Sequence, residues 1–248
     1  MHPTLLHFGF LNIPTFGLLA AAGLMLSLGL SLRTAALVGL SPDRLWNAGL
    51  FAVIAAFLLS RVLLVATNLH TFLTYPILLL MVPSLTPLGI LLTVVVTAVY
   101  LRLRALPLLP TLDAWAPCAT LIWAFLALGH FADGSDPGLP SNLPWAVPVP
   151  SSTLRLHPVA LYAALIALIL TVVLFIHLKR RHYDGDTAAL ALAATGLAQF
   201  LLSFLREPAF EGGTLGSLLD PLQWLALGWI VLAAVLFQQP RKEVAHAV

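Results

Sequence analysis

Charged residues are scarce in this chain of 248 residues: Asp, Glu, Lys and Arg together make up 9% of it, while 60% of its residues are hydrophobic. An ordinary soluble domain is about 25% charged and about 45–50% apolar. Because a water-soluble surface needs more charge than this, the composition excludes a soluble globular domain. The net charge of +2 provides no basic face for a nucleic-acid backbone, so no nucleic-acid partner is expected.

Cysteine is almost absent. Cys118 is the single one in the sequence, so an internal disulfide and a cysteine-based metal site are both excluded. The first residues lack a basic n-region, and the apolar run after them is long enough to cross a bilayer, which predicts an anchor helix rather than a cleaved signal. Repeats and low-complexity tails are also missing. We expect one polytopic membrane domain over residues 1–248.

Long apolar stretches are what the sequence has in abundance. A bilayer core about 30 Å thick requires roughly 20 apolar residues per helix. The third stretch is short, and residues 71–82 before it are also apolar, so that segment is alternatively a re-entrant or interfacial helix. The predicted fold class is an all-α integral membrane protein with about seven transmembrane helices, at 13–32, 46–66, 87–101, 112–131, 158–178, 187–205 and 219–237.

The Lys and Arg residues fall in alternate loops. Most of the twelve follow the first, third and fifth stretches or lie in the tail, whereas Arg155 and Arg206 lie on the other side and Arg61 lies within a span. Because basic residues are retained on the cytoplasmic side, this pattern predicts an outside N-terminus and a cytoplasmic C-terminus. Residues 132–157 then form an outer, periplasmic loop region, and their many Pro and Gly residues predict an ordered loop between helices four and five.

Two arginines are candidates for anion binding. Arg61 lies within the second span, where a charge is costly, and it either extends to the interface or binds a phosphate or carboxylate. Arg206 ends the sixth span, and it either anchors the helix and pairs with Glu207 or binds a lipid headgroup. The planar guanidinium suits the second role, because it offers paired donors to phosphate oxygens.

Titratable groups also gather around the predicted outer loop. His130, Asp133 and Asp136 follow the fourth span, and His157 begins the fifth. An imidazole oriented by a carboxylate is suited to general acid–base catalysis, so His130, His157 and Asp133 are the candidate catalytic residues. The alternative is that the aspartates cap helices and turns. The spacing does not match a metal-ligand motif, and no metal or other cofactor is expected.

Several short segments, in the same order along the chain, resemble motifs of the prolipoprotein diacylglyceryl transferase family. The region 128–147 contains Leu-Gly-His-Phe, then Gly134 and Gly138, then Leu-Pro-Trp-Ala-Val, which is similar to the signature region of the family. Further similar pieces are the His-Pro-Val-Ala-Leu-Tyr segment ending at Tyr162, the Phe-Leu-Arg-Glu-Pro segment around Arg206, the opening Met-His-Pro-Thr-Leu-Leu-His-Phe-Gly, Arg61, Asp113 and Gln223.

This resemblance implies a seven-helix enzyme of the bacterial cytoplasmic (inner) membrane. Its cavity would hold phosphatidylglycerol, or another phospholipid, and open sideways to the lipid bilayer. The enzyme would transfer the diacylglyceryl group to the lipobox cysteine thiol in the signal peptide of a preprolipoprotein. On this basis Arg206 and Arg61 would bind the phosphate, with Gly138, Tyr162 and Glu207 as further substrate-binding positions.

The sequence also departs from the family pattern. Ala127 replaces the signature arginine, His130 stands for the usual Asn or Cys, Phe16 replaces a tyrosine, and Thr86 begins the segment where a His-Gly-Gly would be. Each lost charge-assisted hydrogen bond is worth roughly 1.5–3 kcal/mol. The sequence therefore leaves open a non-catalytic paralogue that binds lipid or a partner, and a related transferase with a different acceptor.

Overall fold

Helices dominate the computed structural model, which describes residues 4–8, 11–75, 86–148, 153–207 and 219–238. Strands β1 and β2 form one antiparallel hairpin, and β3 and β4 form another. The predicted all-α membrane protein is confirmed, with these two short hairpins added. In chain order the elements are β1 (Thr4–Phe8), β2 (Leu11–Pro14), α1 (Thr15–Leu37), α2 (Pro42–Thr67), α3 (Leu69–Thr74), α4 (Pro87–Leu103), α5 (Leu108–Asp133), β3 (Val147–Pro148), β4 (Arg155–Leu156), α6 (Val159–Arg180), α7 (Asp186–Ser203) and α8 (Pro221–Gln238).

Six of these helices are long and apolar enough to span a membrane: α1, α2, α5, α6, α7 and α8. Helix α4 is apolar but has only 17 residues, which agrees with the weakness of the third predicted span. Together they match the expectation of about seven membrane helices. The apolar segment 71–82 contributes to the six-residue helix α3, and its remainder, from 76 onward, lies outside the described residues.

Helix α5 is central to the bundle. It packs against α1, α6 and α7, while α8 packs mainly on α7 and α4 packs on α2. Small residues allow this close approach: Gly23 of α1 lies against the Phe125 side chain, and a Cβ on Gly196 of α7 would lie 2.8 Å from the Ala226 carbonyl oxygen of α8. Membrane helices are not driven together by the hydrophobic effect, because lipid is as apolar as their side chains. Small residues let the helices approach closely, so that van der Waals contacts hold them together.

Helices α5 and α7 begin side by side. The buried Asp113 carboxylate accepts hydrogen bonds from the backbone N–H groups of Gly185, at 2.7 Å, and Ala188, at 2.8 Å. These donors lie at the start of α7, where helical N–H groups have no partner within the helix. The Arg181 Nε lies 3.8 Å from the same carboxylate. Asp113 therefore ties α5, α7 and the end of α6 together at one end of the bundle.

Candidate functional site

At the other end of the bundle, residues 137–141 connect two helices through backbone hydrogen bonds. The Leu139 N–H donates to the Leu205 carbonyl at 2.8 Å, so this segment lies against the end of α7. On its other side, the His157 N–H donates to the Leu139 carbonyl at 3.0 Å, just before α6. The loop after α5 is thus ordered in its described residues, 134–148 and 153–158, as its Pro and Gly content predicts.

Gly138 makes this arrangement possible. A Cβ at this position would collide with the His157 carbonyl oxygen, and it would lie 2.9 Å from the Val159 Cγ2 atom. Gly138 also forms an isolated antiparallel bridge with Arg206. The close backbone approach at residue 138 therefore requires glycine.

We expect Gly138→Ala to lower the thermal stability of the detergent-solubilised protein, because overpacked contacts cost about 1–3 kcal/mol. The matched control is Gly29→Ala in α1, where an added Cβ meets nothing within 4 Å. That change should leave stability equal or slightly raised, since glycine in a helix interior costs roughly 0.5–1 kcal/mol relative to alanine. Thermal unfolding curves compare the two variants, and equal midpoints would contradict the role assigned to Gly138.

A cavity of about 290 Å³ lies beside this segment, and we call it the polar cavity. Across it, the Arg206 Nη2 atom lies 3.1 Å from the Asp136 Oδ2 atom, and both side chains are mostly buried, with 16% and 22% of their surfaces exposed. The sequence allowed a pair between Arg206 and Glu207, but the ion pair found in the described structure is with Asp136. The cavity is lined by Trp123, Leu126, Ala127, His130, Ser135, Asp136, Gln199 and Arg206.

His130 is oriented by Ser135 at the wall of the polar cavity. Its Nδ1 atom and the Ser135 hydroxyl are 2.7 Å apart, and its ring packs on Phe16 with 4.9 Å between ring centroids. Helix α5 ends at Gly134 in the left-handed conformation, with φ 75°, which turns the chain so that Ser135 returns to His130. Because the hydroxyl occupies Nδ1, the other ring nitrogen is left to act as an acid or base.

A second cavity of about 240 Å³, which we call the loop cavity, lies between the loop and the start of α6. His130, Asp136, Gly138 and His157 contribute to its lining. The Nδ1 atom of His157 is buried and has no hydrogen-bond partner among the described residues. An imidazole with one nitrogen that makes no hydrogen bond to the described residues therefore belongs to the lining of the loop cavity.

Four of the eight predicted site residues line these cavities. Arg206 lines the polar cavity, Gly138 and His157 line the loop cavity, and His130 lines both. Asp133 and Glu207 are exposed and line neither cavity. The remaining two, Tyr162 and Arg61, also lie outside both cavities: the Tyr162 hydroxyl accepts a hydrogen bond from Trp145 Nε1 at 2.7 Å, and Arg61 is half-buried in α2.

Four residues that line the polar cavity were not singled out from the sequence: Trp123, Leu126, Ser135 and Gln199. Ser135 is a loop serine that nothing in the sequence distinguishes, and its role is evident only from its hydrogen bond with His130. Gln199 is an uncharged polar residue within an apolar span, so a search extended beyond ionisable groups would have found it. Trp123 and Leu126 are apolar residues within an apolar span, so the sequence does not distinguish them from their neighbours. Their place in the cavity wall depends on how α5 is rotated in the bundle.

An apolar cavity of about 480 Å³ adjoins the polar one and lies between α5, α7 and α8. Trp123 and Gln199 line both cavities. We call it the apolar cavity, and its lining is Leu112, Trp115, Ala116, Ala119, Thr120, Trp123, Ala188, Ala191, Leu192, Thr195, Gln199 and Trp229. The polar cavity and the apolar cavity are therefore neighbouring spaces within the helical bundle.

Three known proteins that are similar to this chain carry the name phosphatidylglycerol–prolipoprotein diacylglyceryl transferase. One from Idiomarina loihiensis is 32% identical over 155 residues, covering 60% of this chain and 58% of the relative. One from Polynucleobacter asymbioticus is 34% identical over 129 residues, covering 51% and 49%. One from Wolbachia pipientis subsp. Culex pipiens is 33% identical over 156 residues, covering 60% and 58%.

These alignments span only about half to three-fifths of the relatives' own lengths. A family model described as prolipoprotein diacylglyceryl transferase, however, matches residues 3–238 of this chain. Because that match extends over nearly the whole sequence, this chain belongs to the prolipoprotein diacylglyceryl transferase family.

Proposed function

We propose that this protein transfers the diacylglyceryl group of phosphatidylglycerol to the lipobox cysteine thiol of a preprolipoprotein. The observation that carries the proposal is the polar cavity, where the Arg206–Asp136 pair and the His130–Ser135 pair line one space. A guanidinium for a phosphate and an imidazole for a proton are the two groups that this reaction needs. The family match and the names of the relatives point to the same reaction.

The reaction exchanges one bond for another. The cysteine sulfur attacks the carbon of the diacylglyceryl group that carries the phosphate. A carbon–sulfur bond forms, and the bond between that carbon and the phosphate oxygen breaks. Glycerol phosphate leaves with the bonding electron pair, and the thiol proton is taken up by a base. Catalysis therefore requires stabilisation of negative charge on the phosphate and removal of the thiol proton.

Arg206 is assigned to the phosphate. Asp136 contacts one end of the guanidinium, at Nη2, so it orients the group without occupying all five of its donors. The Arg206 Nε is buried and lacks a hydrogen-bond partner among the described residues. An unsatisfied buried donor costs about 1–3 kcal/mol. A bound phosphate is the kind of ligand for which such an arginine is suited, because its oxygens match paired guanidinium donors.

His130 is assigned to the thiol proton. The Ser135 hydroxyl at Nδ1 orients the ring, so Nε2 is the atom that would receive the proton. His157 is the alternative base, because its buried Nδ1 has no hydrogen-bond partner among the described residues and it lines the adjacent loop cavity. Asp133, which is exposed and outside both cavities, is the weakest of the three candidates for a direct catalytic role.

The cellular setting follows from the basic residues. Exposed Arg102, Arg104, Lys179 and Arg180 belong to the end of the bundle opposite the polar cavity. With basic residues retained inside, the N-terminus lies outside, the C-terminus lies inside, and residues 132–157 form a periplasmic loop region. In this orientation the polar cavity lies at the outer leaflet of a bacterial cytoplasmic membrane, where phosphatidylglycerol and the signal peptide meet.

A second candidate function is lipid binding without catalysis, or transfer to a different acceptor. Ala127 favours it, because this residue lines the polar cavity at the position where the family pattern has an arginine. Among the described residues that line the polar cavity, Arg206 alone supplies a guanidinium, and the contact that a second one would make is worth about 1.5–3 kcal/mol. His130, in the same cavity, is a cation when protonated and offers partial compensation.

The test is incubation of the purified protein with phosphatidylglycerol and a lipobox peptide, followed by mass spectrometry of the peptide. We expect a diacylglyceryl adduct on the cysteine, and none on a matched peptide with serine in its place. A full-motif family member serves as the positive control. Absence of adduct beside a working control, with phosphatidylglycerol still bound to the protein, would replace the transferase by the lipid-binding alternative.

A further inference from the structure

The loop after α5 carries an exposed tryptophan, Trp145, in a tight turn. The Ala146 N–H donates to the Leu143 carbonyl at 3.0 Å, which closes a β-turn with Pro144 in its second position. Proline suits that position because its ring fixes φ at about −65°. Ala146 is buried, whereas 58% of the Trp145 surface is exposed. The turn therefore keeps the indole ring at the surface of the protein.

A hydrogen bond fixes the position of this indole along a membrane-length helix. The Trp145 Nε1 donates to the Tyr162 hydroxyl at 2.7 Å. Tyr162 is the fourth residue of α6, which begins at Val159, so it lies about 4.5 Å from the start of the helix at about 1.5 Å per residue. The indole is therefore held beside the first turn of α6 and not above the bundle.

Tyr162 lies on a side of α6 that faces lipid. Leu165, Ile169 and Ile176 follow it at intervals of three, four and seven residues, which places all of them on one face of the helix. All three are exposed apolar side chains on a helix that is long and apolar enough to span a membrane. The Trp145–Tyr162 pair therefore lies at the polar-cavity end of a lipid-facing stripe.

A second exposed tryptophan lies at the same end of the bundle. Trp224 is the fourth residue of α8, and 56% of its surface is exposed. Gly196, near the end of α7, packs on Ala226, near the start of α8, so the start of α8 lies beside the end of α7. Tryptophan and tyrosine are enriched at membrane–water interfaces, because their rings are apolar while their N–H or O–H groups are polar. The positions of Trp145 and Trp224 therefore indicate one interface at this end of the bundle.

We propose that the Trp145–Tyr162 pair anchors the loop after α5 in the bilayer, with the indole ring among the lipid headgroups. The partner is the lipid surface, and no particular headgroup is required, because the ring contributes apolar area and its N–H is already bonded to Tyr162. This role goes beyond the transferase reaction and does not depend on it. It also differs from the substrate-binding role that the family resemblance implies for Tyr162.

The anchor acts on the loop segment 137–141. The Leu143 N–H donates to the Ser141 Oγ at 3.2 Å, which ties the turn to this segment. Gly138 of the same segment forms the bridge with Arg206. Lipid contact at the turn therefore helps to hold the loop beside Arg206 at headgroup depth.

The first experiment measures the depth of Trp145 in nanodiscs of phosphatidylcholine brominated either close to the headgroup or near the chain ends. Subtracting the emission of Trp145→Phe from that of the unaltered protein isolates Trp145 from the other tryptophans, and Trp224→Phe isolates Trp224 as a reference. We expect bromines close to the headgroup to quench Trp145 more strongly than bromines near the chain ends, as they quench Trp224. Aqueous iodide should quench it little.

Two results would overturn the anchor. One is quenching of Trp145 by iodide while neither brominated lipid has an effect, which would place the ring in water. The other is a Trp145 emission that responds to a lipobox peptide and not to brominated lipid, which would make a peptide the partner. Lipid is the occupant that the structure favours, because Tyr162 continues the exposed apolar stripe of α6.

The second experiment removes the hydrogen bond by Tyr162→Phe, which keeps the aromatic ring. The Trp145 emission, isolated by subtracting that of the double variant with Trp145→Phe, should lose its preference for bromines close to the headgroup and be quenched more by iodide. Tyr183→Phe, between α6 and α7 at the opposite end of the bundle, is the matched control and should keep wild-type quenching. Wild-type quenching in a folded Tyr162→Phe protein, verified by thermal unfolding, would overturn the pairing.

Discussion

Arg206→Ala will lower diacylglyceryl transfer by at least about 100-fold, because removal of one donor to a developing oxyanion costs about 10²–10³ in rate. The guanidinium lies in the wall of the polar cavity and is held there by Asp136 at 3.1 Å. With alanine at this position, no guanidinium stabilises the negative charge on the departing glycerol phosphate. It also leaves the mostly buried Asp136 carboxylate without its ion-pair partner. The adduct assay measures the loss, and lipid mass spectrometry measures the accompanying loss of bound phosphatidylglycerol.

Arg155→Ala is the matched control for Arg206→Ala. Arg155 lies in the same loop region, on β4, but its side chain is exposed and lines neither cavity. It should retain wild-type turnover. Arg206→Lys keeps the charge but loses the paired donors of the planar guanidinium, so its activity should lie between those of wild type and alanine. Equal turnover in Arg206→Ala and Arg155→Ala would remove Arg206 from the site.

Asp113→Ala will destabilise the protein by about 3–5 kcal/mol, the usual cost of removing one partner from a buried ion pair. The Asp113 side chain is fully buried, and its carboxylate accepts two backbone hydrogen bonds and faces Arg181. Without it, the backbone N–H groups of Gly185 and Ala188 lose their acceptor, and the buried Arg181 keeps its contact with the partly exposed Asp184, at 3.5 Å. Thermal unfolding of the detergent-solubilised variant measures the effect.

Two further variants test whether Asp113 acts through this specific geometry. Asp113→Asn keeps an oxygen acceptor but loses the charge, so it should be less destabilising than alanine. Asp43→Ala removes an exposed aspartate from the first turn of α2 and should cost no more than about 1 kcal/mol. If Asp113→Ala unfolded at the same temperature as Asp43→Ala, the tie between α5 and α7 would not contribute to stability.

Hydrophobicity predicted the membrane helices because each must satisfy its own backbone polar groups by internal hydrogen bonds and present apolar side chains to lipid. That requirement acts on each segment separately, so length and apolar content were enough to find the six long helices and the short α4. The ends were less accurate. Helix α5 extends from 108 to 133 rather than 112 to 131, because Pro107 precedes it and Gly134 ends it in the left-handed conformation.

The candidate site was predicted in part. Arg206 and His130 stood out because charged and titratable groups near a span are costly, and both line the polar cavity. Asp133 stood out for the same reason, yet it is exposed and lines neither cavity. Ser135 and Gln199 are uncharged, so the cost of membrane burial does not mark them strongly.

By itself, the sequence determined that this chain is a bundle of membrane helices, and its motifs indicated the family. These properties depend on local composition and on short segments. Only the tertiary structure decided which groups share a cavity: Asp136 with Arg206, Ser135 with His130, and Gln199 at the junction of the polar and apolar spaces. Such pairings depend on how helices rotate and cross, because a side chain reaches its partner only from the correct face of its helix.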